Sequence, residues 1–146
     1  KADFLNVLLI RWLERGYAAL NEPIDCKDGE ALIRKFLTDG LNSVRRNRFL
    51  WRAAMQRTLD DPQSWEHFRR FSERRRDRYA GLLGELRQRP IDASERARFD
   101  LASQVFNSVI NNTLLNDPGP LHLDQPEFFP TLEQIFLKVA DLKLDC

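Results

Sequence analysis

Arginine is the residue type with the clearest chemical potential in this chain, and six arginines fall between positions 69 and 78. Such a cluster can bind phosphate groups, because guanidinium groups form paired hydrogen bonds with phosphate oxygens. Here Glu66, Glu73 and Asp77 lie within one helical turn of several of these arginines, so the spacing favours ion pairs on a solvent-exposed helix face. The net charge of +1 also argues against a nucleic-acid-binding surface.

Arg75 differs from the other five arginines because it lies one turn from both Phe71 and Tyr79, on the apolar side of the same helix. A long arginine side chain at such a position can extend past the apolar stripe into solvent. It can also act as a polar anchor inside a ligand-binding cavity. The spacing leaves both interpretations open.

Aromatic side chains give a second indication of a binding site, since they recur on five predicted helices that must converge. Asn107, Asn111 and Asn112 fall near inner or interfacial faces of one helix, where an amide without a hydrogen-bond partner is costly. A cavity with apolar walls and a few fixed polar groups is typical of a small-molecule pocket. The alternative is a filled aromatic core with the asparagines bonded across a dimer.

Catalytic and metal-binding patterns are missing from the sequence. It contains no glycine-rich phosphate loop, no Gly-x-Ser-x-Gly and no His-Glu-x-x-His. Glu66 and His67 are adjacent and therefore point to different sides of a helix, and Cys26 and Cys146 have no metal-type partner nearby. We therefore expect neither an enzyme nor a bound metal or cofactor.

Composition is that of a single globular domain. The 146 residues are enough to bury a core, and no apolar run approaches the roughly 20 residues needed to span a bilayer. Residues 1–98 carry 21 basic and 15 acidic side chains, an excess too small to indicate a nucleic-acid surface. Two cysteines do not make a disulfide framework, so we expect a cytoplasmic protein that contacts no membrane.

Apolar residues at helical spacing predict an all-α domain of six helices. The predicted helices cover residues 3–20, 30–46, 48–59, 62–87, 92–116 and 126–143. Gly40 lies inside the second helix, where glycine costs roughly 1 kcal/mol relative to alanine. It therefore predicts a close helix crossing or a bend at this position.

The fifth helix is the element around which the others are organised. It begins with Asp92 and Glu95 at the spacing of a capping box. A helix covered on one side only would be polar along the other, but this one carries two apolar faces. We expect Phe99, Phe106 and Ile110 to face the core and pocket. We expect Val105, Val109 and Asn112 to face the last helix and a second copy of the chain.

The order of these elements resembles the C-terminal effector-binding and dimerisation domain of TetR-type transcriptional regulators. The opening residues 1–5, Lys-Ala-Asp-Phe-Leu, are similar to the segment by which this family leaves its helix-turn-helix domain, although Phe4 replaces a leucine. Residues 48–54 followed by Asp60-Asp61-Pro62 resemble the family's short helix, Asp-Pro turn and long helix. The last two helices, joined by a proline-rich loop, resemble the pair that forms its dimeric four-helix bundle.

The resemblance implies a repressor that releases operator DNA when a small apolar or amphipathic effector binds. DNA would be bound by a helix-turn-helix domain upstream of this chain, and Lys1 could at most touch a phosphate. The implied ligand pocket is lined by Phe36, Trp51, Met55, Phe71, Arg75, Tyr79, Phe106 and Asn107. The implied homodimer interface contains Val105, Val109, Asn112, Phe128, Leu132, Ile135, Phe136 and Val139. The alternative is a helical adaptor that recognises a partner protein without an effector.

Overall fold

Six α-helices account for most of the computed structural model, which describes the backbone of residues 2–142 and the side chains from residue 4 onward. Lys1, Cys146 and the predicted end of the last helix at Lys143 lie outside the described residues. The helices are α1 (Ala2–Asn21), α2 (Gly29–Arg46), α3 (Arg48–Asp60), α4 (Glu66–Leu86), α5 (Ala93–Asn116) and α6 (Phe128–Ala140). No strand occurs between residues 2 and 142, so the all-α prediction with six helices is confirmed.

Side-chain caps begin two of the helices as their sequences require. Asp28 accepts a hydrogen bond from the backbone N–H of Ala31 at 2.7 Å and caps α2. At the start of α5, Asp92 Oδ1 accepts from the Glu95 N–H at 2.8 Å, and Glu95 Oε2 accepts from the Asp92 N–H at 3.0 Å. The predicted capping box is therefore present.

Two helices differ from their predicted bounds by more than one residue. Residues Pro62–Trp65 form a separate 3-10 turn before α4, because the backbone and side chain of Asp61 accept hydrogen bonds from the next residues. The helix α6 starts at Phe128 rather than at Pro126. It ends at Ala140 because Asp141 adopts a left-handed conformation, with φ of 42°, and its N–H bonds the Leu137 carbonyl.

Buried side chains form two clusters. The larger lies between α2, α4, α5 and α6 and includes Leu37, Leu83, Phe99 and Phe136, all 1% exposed or less. The smaller lies between α1, α3 and the first half of α4, around Leu13 and aromatic rings. Thus α4 contributes to both clusters: Phe68 to the smaller one, and Tyr79 and Leu83 to the larger.

The helices α5 and α6 pack antiparallel and form the most extensive helix pair in the described residues. Arg98, near the start of α5, donates from Nε to the Ala140 carbonyl at the end of α6 at 3.3 Å. The Phe136 ring on α6 lies 5.9 Å from the Phe99 ring and 6.3 Å from the Phe106 ring of α5.

Arginines from α2 and α3 attach the α5–α6 loop to the rest of the fold. Arg45 donates from Nε to the Leu123 carbonyl at 3.1 Å, and Arg48 pairs with Asp124 at 2.8 Å. These contacts hold the chain segment that leads into α6.

Candidate ligand-binding site and dimer interface

The guanidinium of Arg75 packs between α2 and α4, and the residue as a whole is half-buried. Its guanidinium carbon lies 4.1 Å from the centroid of the Phe36 ring and 5.6 Å from that of Tyr79. Its Nη2 donates a hydrogen bond to the backbone carbonyl of Phe36 on α2. Among the described residues, no carboxylate forms a salt bridge with this guanidinium.

Gly40 makes room for the guanidinium. A Cβ atom at this position would lie 3.3 Å from Nη1 of Arg75 and 3.7 Å from the Phe106 ring. A separation of 3.3 Å is tighter than ordinary van der Waals contact. The glycine that the sequence singles out therefore allows a close approach, although it is a side chain of α4 that approaches.

Burial shifts the pKa values of Arg75 and Tyr79. Desolvation lowers the pKa of Arg75, and the charges of Tyr79 and Asp39 oppose that change only in part. Burial also raises the pKa of Tyr79. Asp39 forms a salt bridge at 2.9 Å with Lys35 on its own helix, so its carboxylate has another cationic partner.

The eight residues proposed to line the ligand pocket do not form one group. Four of them lie together: Arg75 and the three aromatic residues near its guanidinium. We call these the Arg75 group: Phe36, Arg75, Tyr79 and Phe106. Phe71 packs in the smaller cluster, Trp51 packs against both clusters, and Met55 is buried on α3. Asn107 is exposed on α5 and lies outside both.

Phe71 links the Arg75 group to α1. It precedes Arg75 by one turn on α4, and its ring lies 5.2 Å from Tyr17 and 5.6 Å from Trp12. A Cβ atom at Gly16 would lie 2.8 Å from the Phe71 ring, so α1 and α4 are in close contact here.

The three asparagines that the sequence singles out on α5 have different surroundings. Asn111 is half-buried and accepts a hydrogen bond from Trp51 Nε1 at 2.9 Å, which ties α3 to α5 within one chain. Asn112 is exposed and accepts from Asn116 at 2.7 Å. The sequence identified Asn111 as an amide in need of a partner but did not identify Trp51 as that partner.

Two surface depressions lie away from the proposed lining residues. One, of 390 Å³, follows the outer side of α2 from Lys27 to Asp39. The other, of 490 Å³, lies where the end of α4 meets the start of α5, near Gln88 and Arg96. Neither contains a member of the Arg75 group.

The residues proposed for the dimer interface separate into two sets. Phe128, Leu132 and Phe136 are 1–3% exposed and fill the chain's own core between α6 and its neighbours, so a partner chain cannot reach them in this fold. The others flank that buried stripe on α5 and α6, and Val139 also packs against the edge of the larger cluster. Val109 and Ile135 are 37% and 41% exposed. Asn112 is also exposed, while Val105 and Val139 are half-buried.

Leu101 extends this outer surface and is absent from the proposed interface. It is 53% exposed and lies one turn before Val105, which in turn lies one turn before Val109. We call Leu101, Val105, Val109, Ile135 and Val139 the outer apolar face. The second apolar stripe on α5, which contains Leu101 and Val105, is the sequence signal that could have assigned Leu101 to the outer apolar face.

The arginine run of α4 is largely engaged in contacts within the chain. Glu66 pairs with Arg69 at 2.8 Å and with Arg70 at 3.1 Å. Arg76 pairs with Asp100 of α5 at 2.9 Å. These contacts agree with the expectation of an ion-paired helix face.

Comparisons with protein-family models, with curated proteins and with solved structures found no match to this chain. None of the helices in the described part of the chain is long and apolar enough to cross a membrane. Among the same residues, histidine, cysteine and acidic side chains form no group that could hold a metal ion.

Proposed function

We propose that this chain is the effector-binding and dimerisation domain of a TetR-like transcriptional regulator. The regulator would act as a repressor, releasing operator DNA when a small apolar or amphipathic effector binds. An upstream helix-turn-helix domain would contact the DNA, so the chain described here would supply the dimer and the response to the effector.

The observation that carries the proposal is the outer apolar face on α5 and α6. An α-helix buried on one side normally exposes polar residues elsewhere, whereas α5 leaves Leu101 and Val109 53% and 37% exposed beside its buried stripe. Full burial of one such side chain contributes about 1.5–3 kcal/mol, and two-fold symmetry repeats each contact. A dimer through α5 and α6 is therefore energetically reasonable.

A route from effector to DNA is also consistent with the packing of α4. The Arg75 group lies on one side of α4, and Phe71, one turn away, packs on Gly16 and Tyr17 of α1. In the proposed regulator, α1 leads to the DNA-binding domain. An effector that binds one arrangement of α1 and α4 more tightly would change the spacing of the two DNA-binding domains.

Sedimentation at micromolar concentration tests the dimer. The wild-type chain should sediment as a dimer and Val109→Arg as a folded monomer, since Val109 is exposed within one chain. The matched control is Val7→Arg on α1, where the valine is 46% exposed, and it should leave the dimer intact. A wild-type monomer, or a Val109→Arg dimer of unchanged affinity, would overturn the proposal.

Thermal unfolding tests the effector. A ligand at 100 times its Kd stabilises the folded state by about 2.7 kcal/mol, which for a domain of this size raises Tm by about 5 to 10 °C. The screen should include apolar and amphipathic compounds over a range of sizes. Absence of any stabilising compound would remove the effector from the proposal and leave the dimer to be judged by sedimentation.

An adaptor protein is the second candidate, and the exposed residues of α1 favour it. Phe4, Val7 and Ile10 are 68%, 46% and 53% exposed, a surface that a partner helix could cover. The adaptor needs no effector. Stabilisation by a small molecule at the Arg75 group would therefore favour the regulator.

A further inference from the structure

The exposed side of α5 differs in composition from the rest of the surface. No charged residue occurs between positions 101 and 116, although charged residues make up 31% of the chain. The side of α5 that faces away from Phe99 and Phe106 presents leucines, amides and a serine. Depletion of charged residues is typical of the central part of a protein–protein interface. This side of α5 is therefore suited to contact with another protein.

Five residues follow one another along the middle of this side, and we call them the Ser108 stripe: Leu101, Gln104, Ser108, Asn112 and Leu115. Their separations of three or four residues keep them on a single face of the helix. The first four are exposed, and Leu115 is half-buried. Within the described part of the chain, the side chains of Gln104 and Ser108 form no hydrogen bond.

The order of residue types in the Ser108 stripe is the same in both directions. A leucine lies seven residues before Ser108 and another seven residues after it, and an amide lies four residues away on each side. A two-fold axis perpendicular to two antiparallel helices brings together residues at equal distances on opposite sides of the axis. The stripe is therefore complementary to itself in a second copy of the chain. An unrelated partner protein would not require this symmetry.

From this pattern we propose that α5 pairs antiparallel with α5 of a second copy of the chain, with Ser108 at the two-fold axis. The inference rests on the dimer in the proposed function and specifies how its two subunits meet. Leu101 of each subunit would pack on Leu115 of the other. The amide of Gln104 would bond the amide of Asn112 across the axis.

A serine at the centre of the stripe allows the two helices to approach closely. Packed helix axes lie 8–10 Å apart, and the distance depends on the side chains at the contact. Two small side chains at the crossing point favour the lower end of this range. The helices diverge on both sides of the crossing, where the longer leucines can fill the added space. From Leu101 to Leu115 the stripe spans about 21 Å of helix, which is four turns.

The two amides can form hydrogen bonds across the axis without introducing a charge. Oδ1 of Asn112 accepts a bond from Asn116 at 2.7 Å, which leaves the Nδ2 donor of Asn112 available for Gln104 of the second copy. Two-fold symmetry forms this contact twice. Polar residues in an otherwise apolar helix pair fix its register, because a shift would leave buried amides without partners.

Disulfide cross-linking tests the position of the axis. Ser108→Cys is made in a chain that also carries Cys26→Ser and Cys146→Ser, so that only the new thiol is present. Helix axes 8–10 Å apart leave roughly 4–5 Å between facing Cα atoms, close enough for a disulfide. Under mild oxidation most of this variant should run as a covalent dimer in non-reducing electrophoresis. The control is Asn107→Cys in the same background, which is exposed on an adjacent side of α5 and should stay monomeric. Equal cross-linking of the two variants, or none in Ser108→Cys, would overturn the inference.

Paired charges test the antiparallel direction. In the proposed arrangement, Gln104→Glu with Asn112→Lys brings opposite charges together twice and should dimerise at least as tightly as wild type in sedimentation. The variant Gln104→Lys with Asn112→Lys brings like charges together and should dimerise at least 10-fold more weakly. Both positions are exposed, so both variants should keep the fold. In a parallel pairing each substituted residue would face its own copy, and the two variants would be weakened alike. Equal weakening is therefore an overturning result.

Failure of this inference can be told apart from failure of the proposed function. If the wild-type chain is a dimer but Ser108→Cys does not cross-link, the dimer of the proposed regulator stands and the α5 pairing falls. If the wild-type chain is a monomer, the proposed dimer and the α5 pairing both fall, and the uncharged side of α5 is left for a different partner.

Discussion

The carboxylate of Glu95 lies 2.7 Å from Nη2 of Arg87, and the two side chains are only 6% and 3% exposed. This pair closes the turn between α4 and α5. Glu95 also pairs with Arg89 at 2.9 Å and bonds the Asp92 N–H, so one acidic side chain holds two arginines and a helix start. It is the most fully buried ion pair among the described residues.

Loss of Glu95 should therefore be strongly destabilising. Glu95→Ala leaves Arg87 buried without a counter-ion, which typically costs 3–5 kcal/mol. Urea unfolding followed by helical circular dichroism measures the change. The control Glu85→Ala removes an exposed carboxylate near the end of α4 and should change the stability by less than about 0.5 kcal/mol. Similar losses in the two variants would contradict a special role for the buried pair.

Gly40 and Gly81 form a matched pair for testing the contact with Arg75. Both lie inside helices, where alanine is favoured over glycine by about 1 kcal/mol. A Cβ at Gly81 meets nothing within 4 Å, so Gly81→Ala should gain that amount. Gly40→Ala should gain clearly less or lose stability, because its Cβ would press on Nη1 of Arg75 at 3.3 Å. The measurement is the free energy of unfolding of each variant relative to wild type. Equal gains in Gly40→Ala and Gly81→Ala would contradict the close contact with Arg75.

Gly16 should tolerate a methyl group less well than Gly40. The added Cβ would lie 2.8 Å from the Phe71 ring, so the ring or α1 has to move. Overpacking of this kind typically costs 1–3 kcal/mol and outweighs the gain in helix propensity. Gly16→Ala should therefore lower the free energy of unfolding, and the double variant with Phe71→Leu should recover part of the loss. If Phe71→Leu does not reduce the loss of stability caused by Gly16→Ala, that loss does not come from the contact with the Phe71 ring.

Acid should weaken the attachment of the α5–α6 loop. The hydrogen bond from Arg48 lowers the pKa of Asp124 below its ordinary value. An acid whose pKa is lower in the folded state contributes stability above its ordinary pKa of about 3.9, and that contribution is lost as the pH falls through the lowered value. Tm should therefore fall more steeply below about pH 4 in wild type than in Arg48→Gln. Parallel curves of Tm against pH would contradict the prediction.

Local signals in the sequence were sufficient for the helices and for most of their ends. Pro62 and the capping box at Asp92 act on the backbone within a few residues, so their effects can be read without knowledge of the fold. The phase of α6 was harder to predict because that helix is apolar on both sides. Phe128 and Phe136 could equally have faced a partner chain, and only the space left between α2 and α5 selects them for the core.

The candidate site was predictable in its residue types but not in its contacts. The spacing of Phe71, Arg75 and Tyr79 placed an arginine on an apolar stripe. The Phe36 carbonyl that it bonds is 39 residues away in sequence, and the pattern on one helix carries no information about which neighbour comes close. The same reason explains why Asn107 appeared to belong to the pocket and lies at the surface instead.

The separation of the buried side chains into two clusters has a spectroscopic consequence. All three tryptophans of the chain, Trp12, Trp51 and Trp65, pack in the smaller cluster, where Trp51 lies 5.2 Å from Trp12 and 5.4 Å from Trp65. Intrinsic fluorescence therefore reports mainly on α1, α3 and the first half of α4, because only Trp51 also packs against the larger cluster. Partial opening of α1 would quench or shift the fluorescence with most of the helical signal intact. Stability measured by fluorescence alone would then describe mainly the smaller cluster.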